Sequence, residues 1–492
     1  MAQKQAGGGG GFVQRQRAQA QPSASPAQSA VGQRCSNPAT SEPFAEAVLS
    51  VLSRENAPQS SLTVDNTFRE GRGLAATRTI RRNEALLKVP SRCVLSPSRC
   101  DPSLASSLPE WACLAATLAV HAEHPGSYWH AYAQSLPHSS GNALEWSPTE
   151  LDALQGSPWF DEAIDRRSTV ADALPAIQDA VVQTNVASKP PAESSIVWAY
   201  SMLFSRLIRL KAPNGSNDSE ELAMIPWADL INHGLRTNSF VQLENNACVL
   251  RPDYGPTEPG EQVFASYGSR PSGELLVSYG FVPPEYSPAE TVPIALSLNN
   301  EDPMLSAKER ALQRRKWPLE ATFPLRLGEV PEGLLQFAGF ASVECDTEDQ
   351  VEQCAREAFD GVLTKLPKQL GGGPAGVGQK AGTAASAVRG AVSKLPGVTS
   401  GKPPGGNQGK VDARRAVADA CRELLYEYPT SFEEDKARAK ESAQGRPAET
   451  AEDVEACAAA VRFRERAILS RVEYVLRGEA AELGSKALSL PW

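Results

Sequence analysis

Strand-forming sequence in this chain is split in two by a long helical stretch. Leu74, Ala76, Ile80, Leu86, Leu87, Val89 and Pro90 follow Gly71 and Gly73 in the alternation of short strands, with Arg81-Arg82-Asn83-Glu84 as a turn. From Pro109 to Leu210 the period becomes helical, with Trp111, Leu114 and Leu118 at one end and Ile196, Val197, Met202, Leu203 and Leu207 at the other. Strand character returns after Met224: Phe240-Val241-Gln242-Leu243 and Cys248-Val249-Leu250 flank a turn at Asn245-Asn246, and Gln262-Val263-Phe264-Ala265 follows. Such a pattern predicts an α+β chain in which a small β domain carries a helical insertion. Phe44, Val48, Leu49, Val51 and Leu52 predict a short helix near Pro43, and beyond Val292 helical periodicity dominates.

Charge and composition exclude several classes. A net charge of -9 over 492 residues, with a pI near 5.4, argues against nucleic acid as a partner, because phosphate binding calls for a basic face. The most apolar run, Trp111 to Val120, is too short to span a bilayer and reads as a buried helix. Nine dispersed cysteines, without a C-x-x-C pair, predict reduced thiols and no thiolate zinc site. His121, His124, His130 and His138 lack the acidic or cysteine ligands at regular spacing that a metal site needs, so no metal is expected. Met1 to Ser41 contains no acid, only Lys4, Arg15, Arg17 and Arg34 among Gln, Ala, Ser and Gly; this suits a transit peptide or a disordered segment equally. From Gly361 to Val411 the sequence is again free of acids and rich in Gly, Ala, Pro and Lys, which predicts a flexible loop.

Three segments mix glycine with polar groups inside apolar sequence: Glu70-Gly71-Arg72-Gly73-Leu74, Ile225 to His233, and Gly260 to Gly268 running on to Ser278-Tyr279-Gly280-Phe281. Glycine permits close backbone approach, and buried polar groups need partners that a ligand can supply. Read alone, Asp229, Asn232 and His233 suggest a triad fragment or a metal site, but no G-x-S-x-G element or nearby second histidine supports either. Nor do Gly371 to Gly378 and Lys380 form a phosphate-binding loop, since the G-x-x-x-x-G-K-[ST] spacing is missing.

In order and kind these segments resemble the SET-domain methyltransferases, and the helical insertion resembles the Rubisco large-subunit methyltransferase branch. Tyr428 to Asp435 and Arg462 to Leu469 resemble that branch's C-terminal domain. Composition gives a transit or disordered segment over 1–42 and the flexible loop at about 366–411, and the resemblance implies a SET domain over 43–291 with its insertion at about 97–210 and an all-α substrate-binding domain over 292–492. It implies S-adenosylmethionine as cofactor, contacted by Glu70, Arg72, Ser205, Arg206, Asn232, His233, Tyr279 and Phe281. Tyr267 would be the catalytic tyrosine, and Ile208, Asp229, Ala265, Tyr267, Tyr279 and Phe281 would line the substrate channel.

By the same resemblance the chain is a protein-lysine N-methyltransferase acting on a non-histone protein, with the Rubisco large subunit or plastid aldolase as candidates. A chloroplast stromal location follows if the N-terminus is a transit peptide; otherwise cytoplasm or nucleus is open. A monomer is expected, with neither nucleic acid nor membrane as partner. Two alternatives stay open: a histidine methyltransferase of the same branch, and a non-catalytic binding protein on the SET scaffold. The choice of lysine rests on Ile208, two residues after Arg206, where the histidine-modifying relative places a polar amide to hold the imidazole; an apolar side chain suits a lysine stem instead.

Overall fold

The structure, a computed structural model, describes residues 61–211, 220–360, 392–394, 407–441 and 445–488. Expectations for 1–42 and for a helix near Pro43 fall outside these residues.

The first strand group forms around a hairpin of β1 (Leu62–Phe68) and β2 (Gly71–Ala76), antiparallel with Asp65 opposite Gly73. Next, β3 (Leu87–Pro90) pairs with β8 (Ala247–Leu250), which also pairs with β7 (Gln242–Glu244). The β7–β8 turn has Asn245 and Asn246 at φ 46 and 59, the left-handed pair that a two-residue hairpin turn demands. A second hairpin joins β4 (Ile208–Lys211) and β5 (Glu220–Ala223), while β6 (Asn232–His233) lies parallel to β9 (Phe264–Ala265). Leu74, Ile80, Val89, Ile225, Ile231, Cys248, Leu250 and Val263 fill the core that these small sheets share.

Between β3 and β4 lie the helices α1 (Pro102–Ser107), α2 (Glu110–Glu123), α3 (His130–Ser135), α4 (Pro148–Asp152), α5 (Pro158–Gln183) and α6 (Glu193–Arg206). All of α2 from Trp111 to Val120 is buried, so its apolar run is a core helix packed on α6. After β9, α7 (Ser272–Tyr279) ends at Gly280, whose φ of 80 makes it the left-handed helix cap.

The C-terminal region is helical: α8 (Leu305–Arg314), α9 (Glu332–Ser342), α10 (Glu348–Ala355), α11 (Asn407–Glu427), α12 (Phe432–Glu441) and the 38-residue α13 (Ala451–Leu488). It carries in addition a small sheet that the sequence did not announce, in the order β11 (Glu320–Leu325), β10 (Val292–Ser297), β12 (Val392–Lys394). Most of β10 is buried and its inward and outward faces do not alternate cleanly, which erases the period-two signal. Of the span expected as loop at about 366–411, the described residues are β12, which pairs in parallel with β10, and the start of α11.

Buried polar groups tie this region together and fasten it to the rest. Asp435 accepts from Arg462 at 2.7 and 3.0 Å, with both side chains essentially inaccessible. Arg464 donates to the Pro283 carbonyl at 2.7 Å, and Glu465 accepts from Ser157 at 2.9 Å and Tyr428 at 3.1 Å. Main-chain bonds from Gly445 to Val282 and from Ala448 to Gly280 then lay the segment before α13 beside the end of α7. None of the eight described cysteines forms a disulfide, and no described helix is long and apolar enough to cross a membrane.

Candidate active site

A cavity of about 970 Å³ opens where the β1–β2 turn, the end of α6, β6, the β9–α7 segment and the segment before α13 converge. The β1–β2 turn contributes Glu70, Gly71 and Arg72. Gly71 sits at φ 87, and a Cβ on Gly73 would lie 2.8 Å from Asn232 Nδ2. That close approach lets Asn232 Nδ2 donate to the Arg72 carbonyl at 3.2 Å, while Gln262 donates to Glu70 at 3.1 Å.

Pairing of β6 with β9 sets Asn232 and His233 side by side on the cavity wall. Burial drives His233 down to about 4, so its imidazole is neutral at ordinary pH. In that form Nδ1 accepts from the Tyr267 amide at 3.1 Å. The ring is thereby a structural partner of the tyrosine and is poorly suited to proton transfer.

Ser205 and Arg206 close α6. The Ser205 hydroxyl donates to the Ser201 carbonyl at 2.9 Å and accepts from Arg206 Nη1 at 2.8 Å. Arg206 Nε is buried and has no hydrogen-bond partner among the described residues. Nearby Asp229 is half-buried on the cavity wall: desolvation raises its pKa, opposed by the hydrogen bond from Tyr132 and by the charges of Arg206 and Arg72. Arg72 is itself lowered to about 10, first by burial and then by Arg206. Two guanidinium groups and one carboxylate therefore face each other with an excess of positive charge.

Three aromatic rings make the inner wall. Tyr267 stacks on Tyr279 at 4.9 Å and on His233 at 5.1 Å, and Phe281 stands edge-on to Tyr267 at 6.4 Å. The Tyr267 hydroxyl donates to the Ile231 carbonyl at 2.9 Å, and burial raises its pKa further above the usual phenol value. Its proton is committed, and its lone pairs remain available as acceptors.

Glu70, Arg72, Ser205, Arg206, Asp229, Asn232, His233, Tyr267, Tyr279 and Phe281 thus meet at one cavity. Ile208 and Ala265 are not among its lining residues. Ile208 packs against the apolar core of the small sheets, and Ala265, 6% exposed, is part of that core, its carbonyl taken by the Gly234 amide at 3.0 Å. A sec-butyl side chain and a methyl gain more from that core than from a polar wall. The contrast drawn at Ile208 between a lysine and a histidine acceptor consequently loses its footing.

Sequence reading also missed residues that the fold imports from elsewhere. Gln134 to Ser140 in the insertion and Gly445, Pro447 and Glu449 before α13 line the cavity. None lies near a motif, and only the long-range pairings described above bring them in. Among the described residues no group of three or more His, Cys, Asp or Glu side chains is placed to hold a metal ion.

Comparison with known proteins agrees with this geometry. The SET domain family profile matches residues 71–280, and the Rubisco LSMT substrate-binding profile matches residues 299–469. Actin-histidine N-methyltransferase of Homo sapiens is 28% identical over 334 residues, covering 63% of this chain and 54% of its own. The Gallus gallus protein of the same name is 29% identical over 329 residues, with the same coverage of each chain. The chain spans about half the length of these curated relatives. Among solved structures, the SET domain of LSMT bound to lysine and AdoHcy superposes with a TM-score of 0.69 at 20% identity, covering 90% of this chain and 93% of that one. Rubisco LSMT bound to sinefungin and monomethyllysine gives 0.69 at 20% identity, over 91% and 94%. Two family profiles in this order give the chain a SET domain over residues 71–280 followed by a Rubisco LSMT substrate-binding domain over residues 299–469, on the fold of the solved Rubisco LSMT structures.

Proposed function

We propose that the chain is an S-adenosylmethionine-dependent protein N-methyltransferase and that its acceptor is a lysine side chain, a choice supported by the solved neighbours bound to lysine and monomethyllysine. The observation that carries the reading is the meeting of an incompletely partnered buried arginine with an aromatic wall in one cavity. Among the described residues Arg206 Nε is buried without a partner and Nη1 is bonded only to a neutral hydroxyl, which fits the amino-acid carboxylate of the cofactor. Glu70, the Arg72 backbone, Asn232 and His233 would hold the remainder, where Gly71 and Gly73 leave room for close main-chain approach. When bound, the cofactor supplies a methyl group on a sulfonium.

The chain's own residues supply orientation and acceptor chemistry. Methyl transfer needs a neutral amine in line with the S–C bond. A free lysine titrates near 10.4, and the positive field of Arg72 and Arg206 together with desolvation disfavours its ammonium form. Tyr267 does not remove that proton, because its own pKa is raised and its hydroxyl already donates to Ile231. It accepts a hydrogen bond and orients the nitrogen beside the aromatic wall of Tyr279 and Phe281.

A histidine acceptor is the second reading, favoured by the names of the relatives at 27–29% identity. Substrate candidates for the lysine reading are the Rubisco large subunit and plastid aldolase. Mass-spectrometric mapping after incubation of the chain with the cofactor and each candidate separates the readings. Methyl-lysine supports the first; methyl-histidine with neighbouring lysines unmodified overturns it in favour of the second.

A further inference from the structure

Glu145 lies in the loop between α3 and α4, 4% exposed, away from every motif of the family resemblance. Its carboxylate accepts from the Ser140 amide at 3.0 Å, the Ser140 hydroxyl at 3.3 Å, and the hydroxyls of Ser139 and Ser201. All four donors are neutral. Burying a carboxylate among neutral donors is costly, so plain core packing does not account for it.

What it holds together does. Ser139 and Ser140 line the cavity, whereas Ser201 stands one helical turn before Ser205 on α6. The Ser201 carbonyl accepts from Ser205, whose oxygen in turn accepts from Arg206 Nη1. In the same loop, Asn142 Nδ2 donates to the Ser201 carbonyl at 3.1 Å and to the Ser278 carbonyl at 3.3 Å, just before Tyr279. A Cβ on Gly280 would lie 2.4 Å from the Ser140 carbonyl, so α7 ends pressed against this loop. Since Arg206 Nε has no partner among the described residues, the guanidinium is oriented by Ser205 and by the turn of α6 beneath it.

We propose that Glu145 is a positioning residue for Arg206: through Ser201 and Ser205 it fixes the last turn of α6 so that the guanidinium faces the cofactor's carboxylate. This rests on the reading of Arg206 given above. Glu145 itself is not among the residues that line the cavity.

The test is isothermal titration of the full chain with S-adenosylhomocysteine, for wild type, Glu145→Gln, Arg206→Ala and the double variant. Replacing the carboxylate by an amide puts a donor where four donors converge, and the expected loss of affinity is about tenfold. In the Arg206→Ala background the same substitution should cost nothing further, because the group it positions is gone. Ser201→Ala, which removes one donor and leaves Glu145 three, should show the same pattern and decides the matter if Glu145→Gln fails to fold. An unchanged affinity in the single variants, or an equal loss in both backgrounds, overturns the positioning role while leaving the cofactor reading intact. A wild-type chain that does not bind S-adenosylhomocysteine overturns the cofactor reading, and this inference with it.

Discussion

Substitution Tyr267→Phe separates what the phenol does for stability from what it does for the reaction. The ring keeps its stacking on Tyr279 and His233, so the aromatic wall survives. Only the hydroxyl is lost, together with its 2.9 Å bond to the Ile231 carbonyl. Leaving that buried acceptor unpaired costs about 1–3 kcal/mol, a few degrees of melting temperature. The cofactor's amino-acid end is assigned to Arg206, and its dissociation constant should stay within a few-fold. Turnover should fall by well over tenfold, since the lost acceptor orients the nitrogen as the new bond forms, and tenfold corresponds to about 1.4 kcal/mol of barrier. Initial rates of S-adenosylhomocysteine formation, beside calorimetric binding of the cofactor, read the two effects apart. Near-normal turnover refutes the role given to Tyr267, as does a fall in rate matched by an equal fall in affinity.

Arg206→Ala should weaken cofactor binding by on the order of 1–3 kcal/mol through loss of a charged hydrogen bond, and an unchanged dissociation constant would place Arg206 outside the site. Gly280→Ala should destabilise the chain by more than about 1 kcal/mol, because φ is 80 and the new Cβ would meet the Ser140 carbonyl; urea denaturation with an unshifted midpoint would contradict this. Glu465 is held at about 8 by burial, above the value of about 4.3 in an unfolded chain, so between those values the folded state keeps a proton that the unfolded state releases. Its contribution to stability therefore declines as pH rises through that window, and Glu465→Gln should flatten the decline in melting temperature from pH 5 to 8.5; an unaltered slope would count against it. His233 acts with the opposite sign, as its folded value near 4 lies below the unfolded 6.5, so its share of stability is lost as pH falls from about 6.5 toward 4.

The sequence made some of this architecture legible and concealed the rest, for identifiable reasons. Alternation and the Asn245-Asn246 pair predict the β7–β8 hairpin because a two-residue turn needs left-handed residues, a local requirement. The helical insertion is visible because α2 and α6 each repeat apolar residues over many turns. By contrast β10 is buried along most of its length and pairs with β12 from nearly a hundred residues away, so neither periodicity nor neighbourhood reveals it. Within the cavity, Asn232, His233 and Tyr267 lie in motif segments and are readable, whereas His138, Ser139 and Pro447 arrive through tertiary pairing. Ile208 shows the limit of spacing: counting from Arg206 places it correctly in the chain, yet the end of α6 and the start of β4 turn it into the core.

The most direct measurement of the central claim is transfer itself. Purified chain is incubated with methyl-labelled S-adenosylmethionine and a cell extract, and label in protein is followed beside formation of S-adenosylhomocysteine. Label should accumulate in a discrete protein with the wild-type chain, in step with S-adenosylhomocysteine, and should drop more than tenfold with Tyr267→Phe. Cofactor binding without transfer of label to any protein would contradict the claim and leave a SET-fold protein that binds without catalysing.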